Sequence, residues 1–310
     1  MDLSVVVPTL DSREQLVGCL GALEDHAPAA EVIVVNGPST DGTSGLARSN
    51  PGVDRLVEVA ERNLNAARNA GIAAATGEVI AFVGQDSEIE AGWVDAIAAA
   101  IDAGAAAVTG PVHRAVAGGV TTETPEETTI KRRHVTYVDG GNVAFTRPAI
   151  EALDGFDEYL ETGGARDVAH RLAGLGHRVV WDPDLVVLRT EGDDVQARTA
   201  NGERDALGLK YRSLGYRLVK NYGLRPGIVY RLGRHTVGDG VAALRAVVTG
   251  DRTATAWFED GRSVGPALLA GVRDGVTARR TDPTAQRNPN GVSTRGNRAV
   301  AVYDCGPTGE

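Results

Sequence analysis

Cysteine, lysine and aromatic residues are all scarce in this chain. Two cysteines, Cys19 and Cys305, in 310 residues argue against a disulfide scaffold. No apolar run reaches the roughly 18 residues a membrane span needs. No basic segment followed by an apolar core opens the sequence, so export by a cleaved signal is not expected. Lysine occurs only at Lys131, Lys210 and Lys220, and nearly all positive charge is arginine. With 41 acidic against 32 basic residues the net charge is -9, which disfavours nucleic acid as a partner, since that needs a dense basic face. What is present is ordinary for a folded enzyme-sized chain. A 42% hydrophobic content rules out a disordered polymer, and the length allows a substantial core. Acid excess, abundant alanine and glycine and little lysine suit a protein kept soluble at very high salt, so a halophilic archaeal source is expected. A high-GC bacterial gene gives the same Ala, Gly and Arg bias, and full activity without added KCl would count against the halophile.

The first half alternates short apolar runs with helical patterns. Leu3 to Val7, Glu31 to Val35, Leu56 to Val59, Val79 to Val83 and Ala105 to Val108 read as strands, being short and β-branched. Helices are expected from Ser12 to His26, from Asn63 to Ala75 and from Ala91 to Ala103. That alternation calls for an α/β fold, with a mostly parallel central sheet flanked by helices. Ligands of such sheets sit beyond the carboxyl ends of the strands, where Pro8 to Asp11, Asn36 to Asp41 and Gly84 to Ser87 fall. The polar, acidic stretch from Thr121 to Thr129 reads as a mobile loop, and Lys131 to His134 is a basic tetrapeptide. The turn Asp139-Gly140-Gly141-Asn142 separates two further strands, and Arg166 to Leu175 is a helix. The expected division is one α/β domain over residues 1–190, a helical extension over 191–278 and a flexible tail over 279–310.

Six segments then carry a resemblance. They are Val5 to Asp11, Val34 to Thr43, Ala67 to Gly71, Ala75 to Phe82, Gly140 to Phe145 and Gly155 to Glu158. Their order and spacing resemble glycosyltransferase family 2 over about residues 3 to 189. The resemblance implies a GT-A fold, a nucleoside-diphosphate sugar donor and inversion at the anomeric carbon. Pro8, Thr9, Asp11, Asn36 and Ser39 then fall at the nucleotide, with Asn36, where the family usually has an acid, offering a donor and an acceptor to a base edge. Arg68 could reach phosphates, or could be a solvated surface arginine.

Three departures from the family pattern matter. The D-x-D metal motif is here Gly84-Gln85-Asp86, so Gln85 and Asp86 line the donor and Asp86 alone remains to anchor a divalent cation, Mg²⁺ or Mn²⁺. A family histidine after the last strand is replaced by Arg189. Alignment on Arg171 puts Gly164-Ala165 where a Glu-Asp pair, the general base, should stand. A two-residue shift would return Asp167 to that place as the base; the plain alternative is a helix carboxylate paired with Arg171 at i,i+4. Arg189 together with Lys131 to His134 could carry the diphosphate charge without a cation. Arg133, Gly141, Asn142 and Arg189 are read as acceptor or phosphate contacts. Tyr211 to Tyr222 mixes Arg, Tyr and Leu at helical spacing, which suits either an interfacial helix or a docked one. The expected protein is a cytoplasmic glycosyltransferase, peripheral at the inner membrane face if its acceptor is lipid-linked. The alternative is a catalytically inactive binding subunit of the same fold.

Overall fold

The computed structural model describes residues 1–116, 119–121, 124–190, 200–235 and 254–306. The chain runs β1 (Leu3–Thr9), α1 (Arg13–His26), β2 (Glu31–Asn36), α2 (Thr43–Ser49), β3 (Arg55–Val59), α3 (Leu64–Ala74), β4 (Val79–Val83), β5 (Ser87–Ile89) and α4 (Trp93–Asp102). It continues through β6 (Ala107–Thr109), β7 (Val112–Val116), β8 (Gly119–Thr121), β9 (Glu127–Ile130), β10 (Arg133–Thr136), β11 (Asn142–Thr146), α5 (Arg147–Ala152) and α6 (Gly164–Leu175). Then come β12 (Val179–Trp181), β13 (Val187–Arg189), α7 (Ala200–Tyr222), α8 (helical residues 226–235), α9 (Ala254–Thr281) and β14 (Ala299–Asp304).

The main sheet has the order β12-β6-β11-β4-β1-β2-β3-β14. Strands β3, β2, β1 and β4 are parallel, and β11 enters antiparallel between β4 and β6. The chain therefore winds one way from β1 to β2 and β3 and the other way to β4. Such a reversal opens a crevice beside the first strand, at the carboxyl ends. Because β11 is antiparallel, its amino end at Asn142 comes to the same edge, opposite Val83.

Both faces are covered, as the unbroken apolar strands require. Successive side chains of a strand point to opposite faces. Val5, Val7, Val34 and Val83 therefore pack with Leu16, Leu20 and Leu23 of α1 and with Trp93 and Ile97 of α4. Val6, Ile33, Val35 and Phe82 pack with Ala67 and Ala70 of α3 and Val168 and Leu172 of α6. Phe82 meets Phe145 and Phe156 edge-on, with ring centroids 6.0 and 5.2 Å away.

A smaller sheet has the order β5-β13-β7-β8, and β9 and β10 form a hairpin. Part of the segment expected to be a mobile loop is thus strand β9, since Thr128, Thr129 and Ile130 suit a pleated surface. Lys131 and Arg132 form its two-residue turn, both at positive φ (52° and 65°), so the basic tetrapeptide is split between turn and strand.

Two compact units emerge. One comprises Met1–Tyr159, Gly164–Gly192 and Asn290–Glu310; the other comprises Leu160–Gly163 and Asp193–Pro289. The flexible tail expected over 279–310 is corrected here: residues 290–306 belong to the first unit. Ala299 to Asp304 pair antiparallel with the exposed edge of β3. Arg295 reaches Glu61 and Glu158, and Arg298 also bonds Glu158. Ser293 Oγ donates to Asp154, and Asn290 Nδ2 to Asp157. The alternation Val300-Ala301-Val302-Tyr303 is itself a strand signal, and β3 would otherwise be an open sheet edge.

In the second unit α7 packs on α9 with backbones in close approach. A Cβ on Gly271 or Gly275 would fall 2.0 Å from Arg212 O or 2.7 Å from Tyr216 O. Tyr211, Leu214, Tyr216, Leu218, Val219 and Tyr222 are all buried. The apolar residues proposed for a membrane-surface face are therefore core. Among the described residues, no helix is long and apolar enough to cross a membrane. Of the helical extension expected over 191–278, residues 191–199 and 236–253 lie outside the described residues.

Candidate active site at the strand ends

The loops after β1 and β2 are tied to each other. Asp11, at φ 48°, donates its N–H to Ser39 Oγ (2.8 Å) and accepts the Thr40 N–H (2.7 Å). Its other carboxylate oxygen meets Arg62 at 3.0 Å. Ser39 Oγ donates to Asn36 Oδ1 (2.7 Å), and Asn36 Nδ2 donates to Ser44 Oγ (2.8 Å). Pro8, Thr9, Asp11, Asn36 and Ser39 are therefore brought together. The role given to Asn36 needs correction, however. Both ends of its amide are used and it is 1% exposed, so it braces the loop rather than offering an edge to a base. Thr9 differs: its buried hydroxyl has no hydrogen-bond partner in the structure, as a group awaiting a ligand would.

Gln85 and Asp86 follow β4. Gln85 Oε1 accepts the Leu10 N–H at 2.8 Å, which locks the β4 turn to the end of β1. Asp86 O accepts from Thr190 N (2.9 Å) and Thr190 Oγ1 (3.1 Å), fastening the turn to the end of β13. Arg189 then lies between two acids. Its Nε is 3.7 Å from Asp86 Oδ1, and its Nη2 is 3.3 Å from Asp139 Oδ1. The same Asp139 oxygen accepts the Gly141 N–H at 2.7 Å, and Gly141 O accepts the Gly84 N–H at 3.0 Å. Gly141 is a close-approach position: a Cβ there would lie 3.2 Å from Gly84 N and 3.3 Å from Arg189 Nη2. The corner is thus Gly84 to Asp86, Asp139 to Gly141 and Arg189. Sequence reasoning missed Asp139, because an aspartate before Gly-Gly reads as a turn residue.

Arg68 is neither a surface arginine nor an exposed phosphate hook. It is buried on α3, donating to Asn65 Oδ1 (3.1 Å) and Gly140 O (2.9 Å), with its guanidinium 5.0 Å from the Phe156 ring centre. Burial lowers its pKa to about 10, opposed by the Asp139 charge, so it stays a cation at neutral pH behind the glycine turn.

Three predicted residues do not join this corner as contacts. Asn142 is fully buried; it accepts from Trp93 Nε1 (3.0 Å) and donates to Pro111 O (3.1 Å) and Leu185 O (2.8 Å), so it ties the sheets together. Arg133 is exposed on the β9–β10 hairpin, beside Gly174 of α6. Asp167 is wholly buried on α6 and bonded to Arg171 Nε at 2.8 Å, while Arg171 caps Leu153 O and Gly155 O. A general base must reach the acceptor's proton, and this carboxylate is sealed in a structural pair.

Residues 4–152 match the family model of glycosyl transferase family 2. Comparison with known proteins finds likeness to other glycosyltransferases. Glycosyltransferase AglE of Haloferax volcanii is 25% identical over 205 residues, 59% of this chain and 65% of AglE. The pre-mycofactocin glycosyltransferase of Mycobacterium tuberculosis is 25% identical over 280 residues, 82% of this chain and 58% of that protein. The chain thus spans less than two thirds of these curated relatives. Among solved structures, S. aureus TarS 1-349 with UDP-GlcNAc superposes with a TM-score of 0.61 at 18% identity, covering 90% of this chain and 85% of TarS. The mannosyltransferase PcManGT of Pyrobaculum calidifontis, with GDP-Man and Mn²⁺, gives 0.54 at 20% identity, covering 88% and 86%. The family-2 segment and these neighbours make the fold GT-A.

Proposed function

We propose that this protein is an inverting glycosyltransferase. It moves a sugar from a nucleoside-diphosphate sugar to a hydroxyl or phosphate acceptor in the assembly of a glycan or lipid-linked saccharide. The observation that carries this reading is the convergence of Asp86, Asp139 and Arg189 at the turn after β4, which Gln85 ties to the end of β1, in a chain whose residues 4–152 match family 2. That relatives of this fold bind UDP-GlcNAc or GDP-Man supports the donor class.

In this reading a hydroxyl oxygen of the acceptor attacks the anomeric carbon from the face opposite the diphosphate. The bond from that carbon to the diphosphate oxygen breaks, and the nucleoside diphosphate leaves with the electron pair. The acceptor's proton passes to a carboxylate. With Asp167 sealed against Arg171, that role falls to Asp139. Its Oδ1 is fixed by Gly141 N and Arg189, which leaves Oδ2 for the proton.

A divalent cation, Mg²⁺ or Mn²⁺, is what the family implies. The donor set here does not fit one. Asp86 is a single half-buried carboxylate with a guanidinium 3.7 Å away. No step is therefore routed through a metal.

A second reading, a sugar-nucleotide-binding subunit without chemistry, is favoured by the burial of Asp167 and by Gly164-Ala165 in place of an acidic pair. Hydrolysis of UDP- and GDP-sugars by Asp86→Ala and Asp139→Asn decides between them. The enzyme reading expects slow native hydrolysis and a loss of about 100-fold or more in Asp139→Asn with the donor still bound. Donor binding with no native turnover supports the subunit. A peripheral membrane position is also proposed. Exposed Leu224, Val229 and Tyr230 near Arg225 and Arg234 support it, and flotation with anionic vesicles tests it.

A further inference from the structure

The mismatch between this donor set and a metal ion has a physical counterpart in Arg189. Its guanidinium already brings a fixed positive charge to within 3.7 Å of Asp86. One N–H donor, from Nη2, is spent on Asp139, and the buried Nε has no hydrogen-bond partner, the Asp86 oxygen being 3.7 Å away. Guanidinium carries five N–H donors in a rigid fork that suits phosphate oxygens. A buried donor left unmatched in the free protein calls for a partner, and a phosphate oxygen is one that would supply it. Arg68 has the same character: it is a buried cation under the Gly140 turn whose Nε is also unpartnered. The charges of Asp86 and Asp139 are balanced by those of Arg189 and Arg68, so the corner needs no added cation to hold together in the free state.

We propose that Arg189, clasped between Asp86 and Asp139, is the resident cation of this site and binds the diphosphate of the donor and of the leaving nucleotide directly, without a divalent metal. Asp86 is a positioning residue for the guanidinium, and Asp139 holds it through Oδ1 alone, its Oδ2 keeping the part of the base. Gly141 is part of the device, since a side chain there would crowd Arg189 Nη2 at 3.3 Å. As the carbon–oxygen bond breaks and charge gathers on the diphosphate, a guanidinium already held in place between two carboxylates stabilises it with little reorganisation. The inference rests on the reading of the crevice as a diphosphate site.

The test is calorimetric binding of UDP and of GDP to the full chain, in EDTA and in Mn²⁺. Native protein, Arg189→Ala, Arg189→Lys and Arg189→His are compared, with thermal melts to show that each variant is folded. The expected result is that whichever nucleotide binds native protein does so within about threefold in the two buffers. Arg189→Ala should lose tenfold or more in both, and Arg189→Lys should recover part of it. Arg189→His places an imidazole, a metal ligand once it has given up its proton, between two carboxylates. It should bind Mn²⁺ on its own, seen by electron paramagnetic resonance, and bind the nucleotide only when Mn²⁺ is present. Tenfold weakening of the native protein in EDTA, or an Arg189→Ala variant that binds as native does, overturns the inference while leaving the donor class intact. Failure of both nucleotides to bind in either buffer overturns the diphosphate site itself.

Discussion

Replacing Asp167 by alanine separates a structural acid from a catalytic one. The variant removes the carboxylate from a pair with no solvent exposure on either side chain. Arg171 keeps its bonds to Leu153 O and Gly155 O but becomes an uncompensated buried charge. Breaking a buried pair from one side costs about 3–5 kcal/mol. In a unit of this size 1 kcal/mol moves the melting temperature by roughly 2–4 °C, so the expected fall is on the order of 10 °C. Asp167→Asn keeps an acceptor for Arg171 Nε and loses only the charge, so it should fall between native and alanine. The assay is a thermal melt of all three proteins, with donor binding measured well below the transition. There the folded fraction should bind UDP- or GDP-sugar as the native protein does. A melting temperature within about 2 °C of native, with turnover abolished and donor still bound, would refute the argument and return Asp167 to the role of base.

Other consequences follow from the loops and the tail. Asn36→Ala leaves Ser39 and Ser44 without their shared partner, so stability should drop by about 1–3 kcal/mol. Donor affinity should then weaken for every nucleotide alike; a switch of base preference measured by competition would contradict the bracing role. Arg295 bonds Glu61 and holds its carboxyl below the usual range, so this contribution is present above about pH 4.5 and is lost as the pH falls further. Arg295→Ala should therefore cost on the order of 1 kcal/mol at neutral pH and less near pH 3, read from urea midpoints across that range. A variant equally destabilised at both ends would rule out the ion pair as the cause.

The wound sheet was legible because its signal is local. Val5 to Val7, Val32 to Val35 and Val79 to Val83 are short β-branched runs, and each ends at a turn-forming segment, so strands, helices and the functional edge could be read together. The corner around Arg189 was half legible. Arg189 and Asp86 stood out because each departs from a motif. Asp139 did not, since its role depends on β11 running antiparallel beside β4, a pairing that no window of sequence displays. Asn36, Asn142 and Asp167 were misread for one reason. A polar residue near a strand end or a helix start has the same appearance in sequence whether its partners are solvent and substrate or Ser44, Leu185 O and Arg171. Only burial tells these apart, and burial is set by residues far along the chain. Residues 290–306 show the same limit from the other side. Their composition is that of a loose tail, yet β3 presents an unpaired edge and Glu158 an acid needing cations, and both requirements arise more than a hundred residues earlier. A long-range segment of this kind covers the sheet edge on the side away from β12, so the partner that β3 needs lies about 240 residues further along the chain.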